Sequence, residues 1–489
     1  MMGIGETFMA FIMLLCGGST GSDALDYIDS EHYWKSKKIE YTVEAMMLEA
    51  KKPDVAEDAA MKEAQIRRLL AIRALGEKKA QKALPLLQGF IDSKEPFVAD
   101  YAKEAIARIN GNALPQLDHK DQWKKAVAAT PKDASGLVHM KLGRPKEFKT
   151  LAKFKETMSS MYMDGEIDED DEDAEELKKE LEEELEEMKN EMDQALINHI
   201  YPILEQVGNI RAESVTLSFA DKFGAHEGWI SLVVKGKYDH QALSNFLNQT
   251  MAEEFEIDVV AGVPFFTIDE NASMGFVSKD TFVCTFGPEI QNQPREALIN
   301  GLKNEKPIFN AELLALLKKT DKTGPTWGCL MLLPDFKEGI PALAPFDNLR
   351  IETKLVKGLT NIKITGEGKD EKEVKKAMTD MEKDYAAFLK EQFAEIEKEV
   401  PESMRSMLNL MKSLEFKAVE KVGIVEAKMP ETDVATLLAS YFGYAYMGAG
   451  VGGVEFGEFE EVPPAPKPAQ PNPAPAQPKA VPAPAPELK

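Results

Sequence analysis

The chain contains very little cysteine, with only Cys16, Cys284 and Cys329 among its 489 residues. Three thiols this far apart cannot form a zinc site by themselves, so we predict no metal site. Cys284 and Cys329 each lie within an apolar strand pattern, where a free buried cysteine is ordinary. In an exported chain the same two thiols could instead pair. A disulfide between Cys284 and Cys329 and two free thiols are therefore both open alternatives.

Positive charge is outnumbered, with 59 lysines and arginines against 83 acidic residues, and the excess of acid is concentrated in one place. The formal net charge is −24, and the segment 164–193 contains 18 acidic residues and three lysines. The chain has no basic stripe with which to neutralise phosphates, so nucleic acid is not expected as a partner. Asp168, Asp170 and Glu172 alternate as calcium ligands do, but the glycine and the closing glutamate of a calcium loop are missing. The acidic run therefore indicates no dedicated metal site.

The motifs that usually accompany catalysis are missing as well. No two of the six histidines are four residues apart beside a glutamate, and there is no Gly-x-Ser-x-Gly sequence. The glycines from Gly448 lead into acidic residues and not into a helix start, where a phosphate loop needs the helix dipole. We predict no catalytic residue and no cofactor. An exported hydrolase with a site built from loops is the alternative.

No apolar run is long enough to span a bilayer, but the N-terminus has a run of signal-peptide length. Nine apolar residues from Phe8 to Cys16 precede several small residues. This pattern predicts a signal peptide over 1–24, cleavage between Ser19 and Leu25, and export to the periplasm, cell envelope or exterior, with no membrane span in the mature chain. No lysine or arginine precedes Lys35, so a buried or disordered N-terminal segment is the alternative.

Two regions of the chain, 131–302 and 321–443, share one pattern of elements. Short apolar strands at Gly136 and Gly328 begin the two patterns. Each continues with two alternating strands, a turn, an aspartate, an amphipathic helix and closing strands. We therefore predict an α+β fold in which a helical segment precedes two related modules. Each module is expected to be an antiparallel sheet with helices on one face, because strictly alternating strands bury only one side. Chance agreement of common elements is the alternative to duplication.

The region 25–115 has helical periodicity without strand alternation. A shift of about 31 residues aligns it with itself, since Ile66 falls on Phe97 and Leu70 on Tyr101. Over about residues 60–110 it resembles short HEAT-type repeats of the bilin-lyase-like kind. That resemblance implies stacked helix pairs that offer a surface to partners. A small helical bundle packed on the next domain is the alternative.

Two further segments interrupt or follow the modules. The insertion 164–208 begins with a charge run that we predict to be disordered, and continues as a helix with one narrow leucine and methionine stripe. That stripe is suited to a short coiled-coil contact or to docking on the protein's own body. The region 444–489 is glycine-rich and then rich in proline and alanine, which predicts a disordered, extended tail.

Taken as a whole, the pattern is similar to exported bacterial proteins of unknown function that carry duplicated strand–helix modules. This resemblance is architectural and transfers no functional residue. The sequence favours a non-catalytic binding or scaffold protein of the bacterial cell envelope, which contacts a protein partner through its repeat and module surfaces. A binder of apolar ligands between the two modules is a further alternative to the hydrolase.

Overall fold

The fold is known from a computed structural model of the chain. The residues that it describes are 23–52, 60–112, 123–142, single positions between 179 and 194, 196–220, 228–250, 256–269, 272–287, 293–304, 311–334, 337, 340–391 and 405–430. The predicted leader apart from its last two residues, the acidic run that begins the insertion, and the tail 444–489 lie outside these residues. The expectations for those segments therefore stay predictions.

Twelve helices and twelve strands follow one another along the described residues. The α-helices are α1 Ser30–Ser36, α2 Val43–Lys51, α3 Ala60–Glu77, α4 Leu84–Gln88, α5 Val98–Asn110, α6 Trp123–Ala128, α7 Tyr201–Val207, α8 His240–Thr250, α9 Arg295–Asn304, α10 Ala311–Lys319, α11 Glu371–Glu391 and α12 Arg405–Lys412. The strands are β1 Gly136–Lys141, β2 Arg211–Ala220, β3 Trp229–Lys237, β4 Glu256–Val260, β5 Val263–Asp269, β6 Ala272–Ser278, β7 Thr281–Phe286, β8 Thr326–Met331, β9 Phe346–Val356, β10 Leu359–Gly368, β11 Glu415–Val419 and β12 Val422–Pro430. A π-helix, Leu196–Ile200, leads directly into α7.

All twelve strands belong to one antiparallel sheet. Its order is β11-β12-β10-β9-β8-β1-β2-β3-β7-β6-β5-β4. The combination of helices with an antiparallel sheet confirms the predicted α+β class. The prediction of helices on one face was wrong for the first module, where helices cover parts of both faces. The sequence analysis predicted a sheet in each module but not their joining into a single sheet through β1 and β8.

The two modules have the same strand order when each is read outward from the centre of the sheet. The first gives β1, β2, β3, β7 and β6, and the second gives β8, β9, β10, β12 and β11. The amphipathic helix follows the third strand in both, as α8 in the first and α11 in the second. The hairpin of β4 and β5 extends the first module alone. Equal order over five strands is what related modules require.

The pairing at the centre agrees with the correspondence of Gly136 and Gly328. Leu137 lies opposite Cys329, Gly136 opposite Leu330, and Val138 opposite Gly328. Exchanging the two strands leaves this register unchanged, so an approximate twofold axis passes through the Leu137–Cys329 pair. A side chain at Gly328 would place its Cβ 2.8 Å from the carbonyl oxygen of Leu137, so this position requires glycine for the close approach of the strands.

Alternation along the strands assigns the helices to two faces, which we call face A and face B. Face A carries Val234 and Cys284 and packs against the N-terminal helices, α7 and α8. Face B carries Leu137 and Val233 and packs against α6, α9 and α10. Successive strand residues point to opposite faces of the sheet. Where helices cover both faces of the first module, its strands are therefore apolar on both faces. In the second module α11 packs on face A through Val374.

The N-terminal helices share one hydrophobic core with face A of the first module. Helix α3 lies in its middle, and seven of its apolar residues are fully buried: Ile66, Leu69, Leu70, Ala71, Ile72, Ala74 and Leu75. Helices α3 and α5 pack so closely at Gly76 that a Cβ atom there would lie only 2.7 Å from the Cα of Ala105. Helices are thus present where the repeat resemblance placed them. They cover the sheet, and α3 presents almost no free surface.

The described chain begins inside this core. Asp23, Ala24 and Leu25 are fully buried, and the amide of Ala24 donates to the carbonyl of Ile210. A leader that extended to residue 24 would therefore remove two residues of the packed structure. Among the described residues, no helix combines the length and the apolar character that crossing a bilayer requires.

Candidate functional site

Three of the six histidines have described side chains, and none of them lies in a metal cluster. Those three are His32, His139 and His240; the other three, His119, His199 and His226, lie outside the described side chains. Within the described part of the chain no group of three or more histidines, cysteines or acids is placed to hold a metal ion. The titratable residues instead form three buried polar clusters, which sequence patterns did not reveal.

The first cluster is a chain of hydrogen bonds from Asp193 through His32 to Tyr201. His32 Nδ1 lies 2.7 Å from the Tyr201 hydroxyl, and its Nε2 lies 3.4 Å from Asp193 Oδ1. This order of carboxylate, imidazole and hydroxyl resembles the arrangement that activates a nucleophile. However, burial raises the pKa of Tyr201 far above its usual value, and the charges of Asp29 and Asp193 raise it further. A hydroxyl that resists ionisation in this way is a poor nucleophile, so we assign the cluster a structural role.

The same helices meet in a second set of contacts beside the first. The Tyr33 hydroxyl donates to Glu205 at 2.6 Å, and Lys37 donates to the same carboxylate at 2.7 Å. The rings of Tyr33 and Tyr201 meet edge to face with centroids 5.1 Å apart. Burial, together with the charge of Glu205, raises the pKa of Tyr33 as well. These contacts join α1 to α7 and so connect the end of the insertion to the N-terminal helices.

The third cluster surrounds Arg211, whose side chain is completely buried. Its Nε and Nη2 each lie 3.0 Å from Asp23 Oδ2, and its Nη1 lies 2.6 Å from Asp100 Oδ2. The Tyr101 hydroxyl donates to the other oxygen of Asp23 at 3.0 Å. Burial is the largest effect and lowers the pKa of Arg211, but Asp23, Tyr101 and Asp100 together raise it by more, so the guanidinium stays charged. The cluster anchors the start of the fold to β2.

The junction of the two modules on face B is filled by side chains. His139 is buried, and its Nδ1 atom forms a hydrogen bond of 2.8 Å with the hydroxyl of Thr216. The centroid of its ring lies 5.0 Å from that of the Trp327 ring. Leu137 and Cys329 lie beside them, and Leu316 and Leu317 of α10 pack above. The junction therefore shows a close-packed interior at the place where an apolar-ligand site had been considered.

A row of buried hydroxyl groups crosses face B of the first module. Ser218 and Ser231 are 2.7 Å apart through their Oγ atoms, and Ser273 and Thr285 are 2.8 Å apart. Gln293 Oε1 accepts from both Ser273 and Thr285, at 3.0 and 2.6 Å. These groups satisfy one another, which is what buried polar atoms require. The row is thus a means of pairing strands, and its hydroxyls are not directed at a ligand.

Cys284 and Cys329 are both free and buried, on opposite faces of the sheet. Their strands, β7 and β8, are four positions apart, a separation of roughly 19 Å at the usual strand spacing. A disulfide needs Cα atoms within about 7 Å. The alternative of two free buried thiols therefore describes this fold, and a bridge between Cys284 and Cys329 does not fit it.

Exposed apolar side chains are concentrated on the sheet. Eight large apolar residues of the described chain are exposed, and six lie on strands: Ile257, Val259, Leu355, Val356, Leu359 and Val419. Three of the six belong to one turn, the β9–β10 hairpin tip, which we define as 355–359. Lys357 and Gly358 have φ of 53° and 80° there, the left-handed pair of a tight two-residue turn.

The hairpin tip exposes apolar groups on both sides of the sheet. Leu355 is 45 % exposed on face A, and the facing pair Val356 and Leu359 is 46 % and 41 % exposed on face B. Single exposed apolar residues are normal on protein surfaces, but a contiguous group marks an interaction site. The hairpin tip is therefore the candidate binding surface. Its signal in the sequence is the apolar pair Leu355-Val356 before Lys357-Gly358 and Leu359 after it.

Comparison with known proteins finds little that is similar. No protein family model and no curated protein matches the chain. Among solved structures, crystal form III of TP0453 is similar with 9 % identity and a TM-score of 0.32, over 64 % of this chain and 98 % of that one. Crystal form I of TP0453 gives 9 % identity and a TM-score of 0.31, over 64 % and 96 %. A likeness at this level carries no information on function.

Proposed function

We propose that this protein is a non-catalytic binding or scaffold protein of the bacterial cell envelope, and that the hairpin tip 355–359 contacts its protein partner. The observation that supports the proposal is the exposure of three large apolar side chains at one turn, with Val356 and Leu359 adjacent on face B and Leu355 on face A. Burying the exposed part of such side chains stabilises a complex at about 25 cal/mol per Å² of apolar surface, before the costs of association. Tyr201 and Arg211 contact other side chains of the fold, which favours a structural role for both clusters.

The export part of the proposal includes a revised position for cleavage. Because Asp23 and Ala24 pack in the core, we place the leader's end upstream of Asp23, within the range of small residues that begins at Ser19. We also propose that the two modules arose by duplication. Their equal strand order and the symmetric register around Leu137 and Cys329 support that origin.

Site-directed crosslinking in the native host tests the binding proposal. A photoreactive amino acid at Val356 should yield a discrete adduct with a protein partner. The same group at Val419 is the matched control, because Val419 is 56 % exposed beside the β11–β12 turn and its facing residue, Val422, is not among the exposed apolar residues. Replacing Leu355 and Leu359 with serine should abolish the Val356 adduct. Equal adducts from both positions, or none from Val356, would contradict the hairpin tip as the binding surface.

Fractionation of the same cells tests the location. The proposal expects the protein in the envelope or extracellular fraction, with an N-terminus between Ser19 and Asp23. A chain that retains Met1 and stays with the cytoplasm would refute export without affecting the crosslinking result. The two parts of the proposal can therefore fail separately.

A further inference from the structure

The two outer strands of the sheet, β4 and β11, differ in how their free edges are protected. Strand β11 contains Lys417, a charge of the kind that discourages pairing with another chain, and α11 packs beside it through Phe416. Strand β4 reads EIDVV and contains neither lysine nor proline. Four of its five residues are exposed, as are four of the five in β11, so the absence of lysine and proline is what distinguishes the β4 edge. The β4 edge is thus the open end of the sheet in the described chain.

The turn that follows β4 fixes which backbone groups face outward. Ala261 and Gly262 have φ of 47° and 79°, and Val260 pairs directly with Val263. In a two-residue hairpin the residues that close the turn exchange both backbone hydrogen bonds, and the pattern alternates from there. Val260, Asp258 and Glu256 therefore bond to β5. Ile257 and Val259 direct their N–H and C=O groups to the open edge.

The side chains of β4 divide by face in a way that specifies a partner. Ile257 and Val259 lie on face A, opposite Phe266 and Pro264 of β5, and are 41 % and 74 % exposed. Glu256 and Asp258 lie on face B with Val260. Asp258 has one cationic neighbour, Arg295 at 3.1 Å, and is itself more than half exposed. An added strand would meet apolar groups on one face and carboxylates on the other.

We propose that the β4 edge is a strand-addition site for an extended peptide segment in which apolar residues alternate with lysine or arginine. The outward N–H and C=O groups of Ile257 and Val259 supply the main-chain bonds, as strand addition at an open edge requires. The apolar residues of the segment pack beside Ile257 and Val259. Its basic residues face Glu256 and Asp258, since opposite charges on directly facing residues stabilise strand pairs.

A second copy of this chain is a poorer occupant for the same reason. Antiparallel pairing of β4 with itself through Ile257 and Val259 sets Asp258 opposite Asp258 or opposite Glu256. Like charges directly opposite each other destabilise a strand pair. The one register that avoids this conflict pairs only the end of the strand near Val260. The acidic residues therefore select against self-association and for a basic segment.

Fluorescence anisotropy with a labelled synthetic peptide of alternating valine and lysine tests the site on the full-length protein. We expect Val259→Pro, which removes one outward N–H, to weaken binding about tenfold, the effect of losing one or two main-chain bonds. Ala418→Pro is the matched control, since Ala418 occupies the outward position next to the turn on the other edge. Asp258→Lys should weaken binding while leaving the backbone groups in place. Urea unfolding of each variant verifies that it is folded.

Two altered peptides complete the test. Methylation of alternate backbone nitrogens should abolish binding, and replacing lysine with glutamate should weaken it at least tenfold. Equal binding of the methylated peptide, or equal losses from Val259→Pro and Ala418→Pro, would overturn the strand-addition site. Sedimentation that shows a dimer lost in Val259→Pro, with no peptide bound, would assign the edge to a second copy instead. None of these outcomes depends on the hairpin tip 355–359, so the two proposals fail independently.

Discussion

The Arg211 cluster allows a quantitative prediction about how the start of the fold is held. Replacing Arg211 with methionine keeps most of the side-chain volume but leaves Asp23 buried without its cation. Asp23 is fully buried, whereas Asp100 is about one-third exposed and can be hydrated. Removing one partner of a buried ion pair costs about 3–5 kcal/mol, because the remaining charge is uncompensated. Arg211→Met should therefore lower the free energy of unfolding by about that amount.

A second substitution separates the cost of leaving the Asp23 carboxylate without its cation from the cost of lost packing at Arg211. Asp23→Asn removes the charge but keeps an oxygen that can accept from Tyr101 and from the amide of Leu25. The double variant Arg211→Met with Asp23→Asn should be more stable than Arg211→Met alone. Lys417→Met is the matched control on a strand, because Lys417 pairs with Glu415 and Glu426 in solvent and should contribute nothing measurable.

Urea unfolding followed by circular dichroism measures the unchanged protein and the four variants, with linear extrapolation to water. The reasoning is refuted if Arg211→Met costs less than about 1 kcal/mol, which is the range of an exposed pair. It is also refuted if the changes in the free energy of unfolding caused by Arg211→Met and Asp23→Asn are simply additive, since adjacent charges in one buried network must interact.

Four further outcomes follow from the same structure. A chain that begins at Leu25 should be at least about 3 kcal/mol less stable in urea than one that begins at Gly21, because it lacks the buried partner of Arg211. Burial raises the pKa of the Cys329 thiol to about 12, although the charge of Lys322 lowers it by a smaller amount. Because the thiolate is the reactive form, Cys329 should be alkylated at pH 8 only in denaturant, which mass spectrometry measures. Burial raises the pKa of Asp239, but the hydrogen bonds from the Ala242 amide and Lys62, with the charge of Lys62, outweigh burial and hold that pKa below its usual value. The ionised Asp239 therefore stabilises the fold above about pH 4, and this stabilisation is lost as pH falls through the folded-state pKa. Asp239→Asn should be less stable at about pH 7, and its urea midpoint should depend less on pH below about 4. Gly76→Ala should lower the stability measured in a thermal or urea melt by about 1–3 kcal/mol, because the new methyl group would lie 2.7 Å from the backbone of Ala105. An unchanged or raised stability would show that α3 and α5 can move apart without cost.

Local sequence patterns determined the elements of this protein and much of their order. Alternation predicted the paired strands, and helical periodicity predicted the N-terminal helices and the helix after the third strand of each module. The correspondence of Gly136 with Gly328 was also readable, since glycine stands where two backbones approach closely. Such features depend on residues a few positions apart, so they are present in the sequence itself.

Contacts between distant segments were decided only by the tertiary structure. The pairing of β1 with β8 joins residues almost two hundred positions apart, and no local pattern distinguishes one twelve-stranded sheet from two smaller ones. The faces of Cys284 and Cys329 follow from that sheet order, so the disulfide could not be rejected beforehand. Asp23 lies in the predicted leader, yet its carboxylate contacts Arg211 of β2. His32 comes from α1, whereas its partners Asp193 and Tyr201 come from the distant insertion 164–208. Buried charges and polar chains of this kind are satisfied by partners that folding brings together, and the sequence contains no local signal of which partner that is.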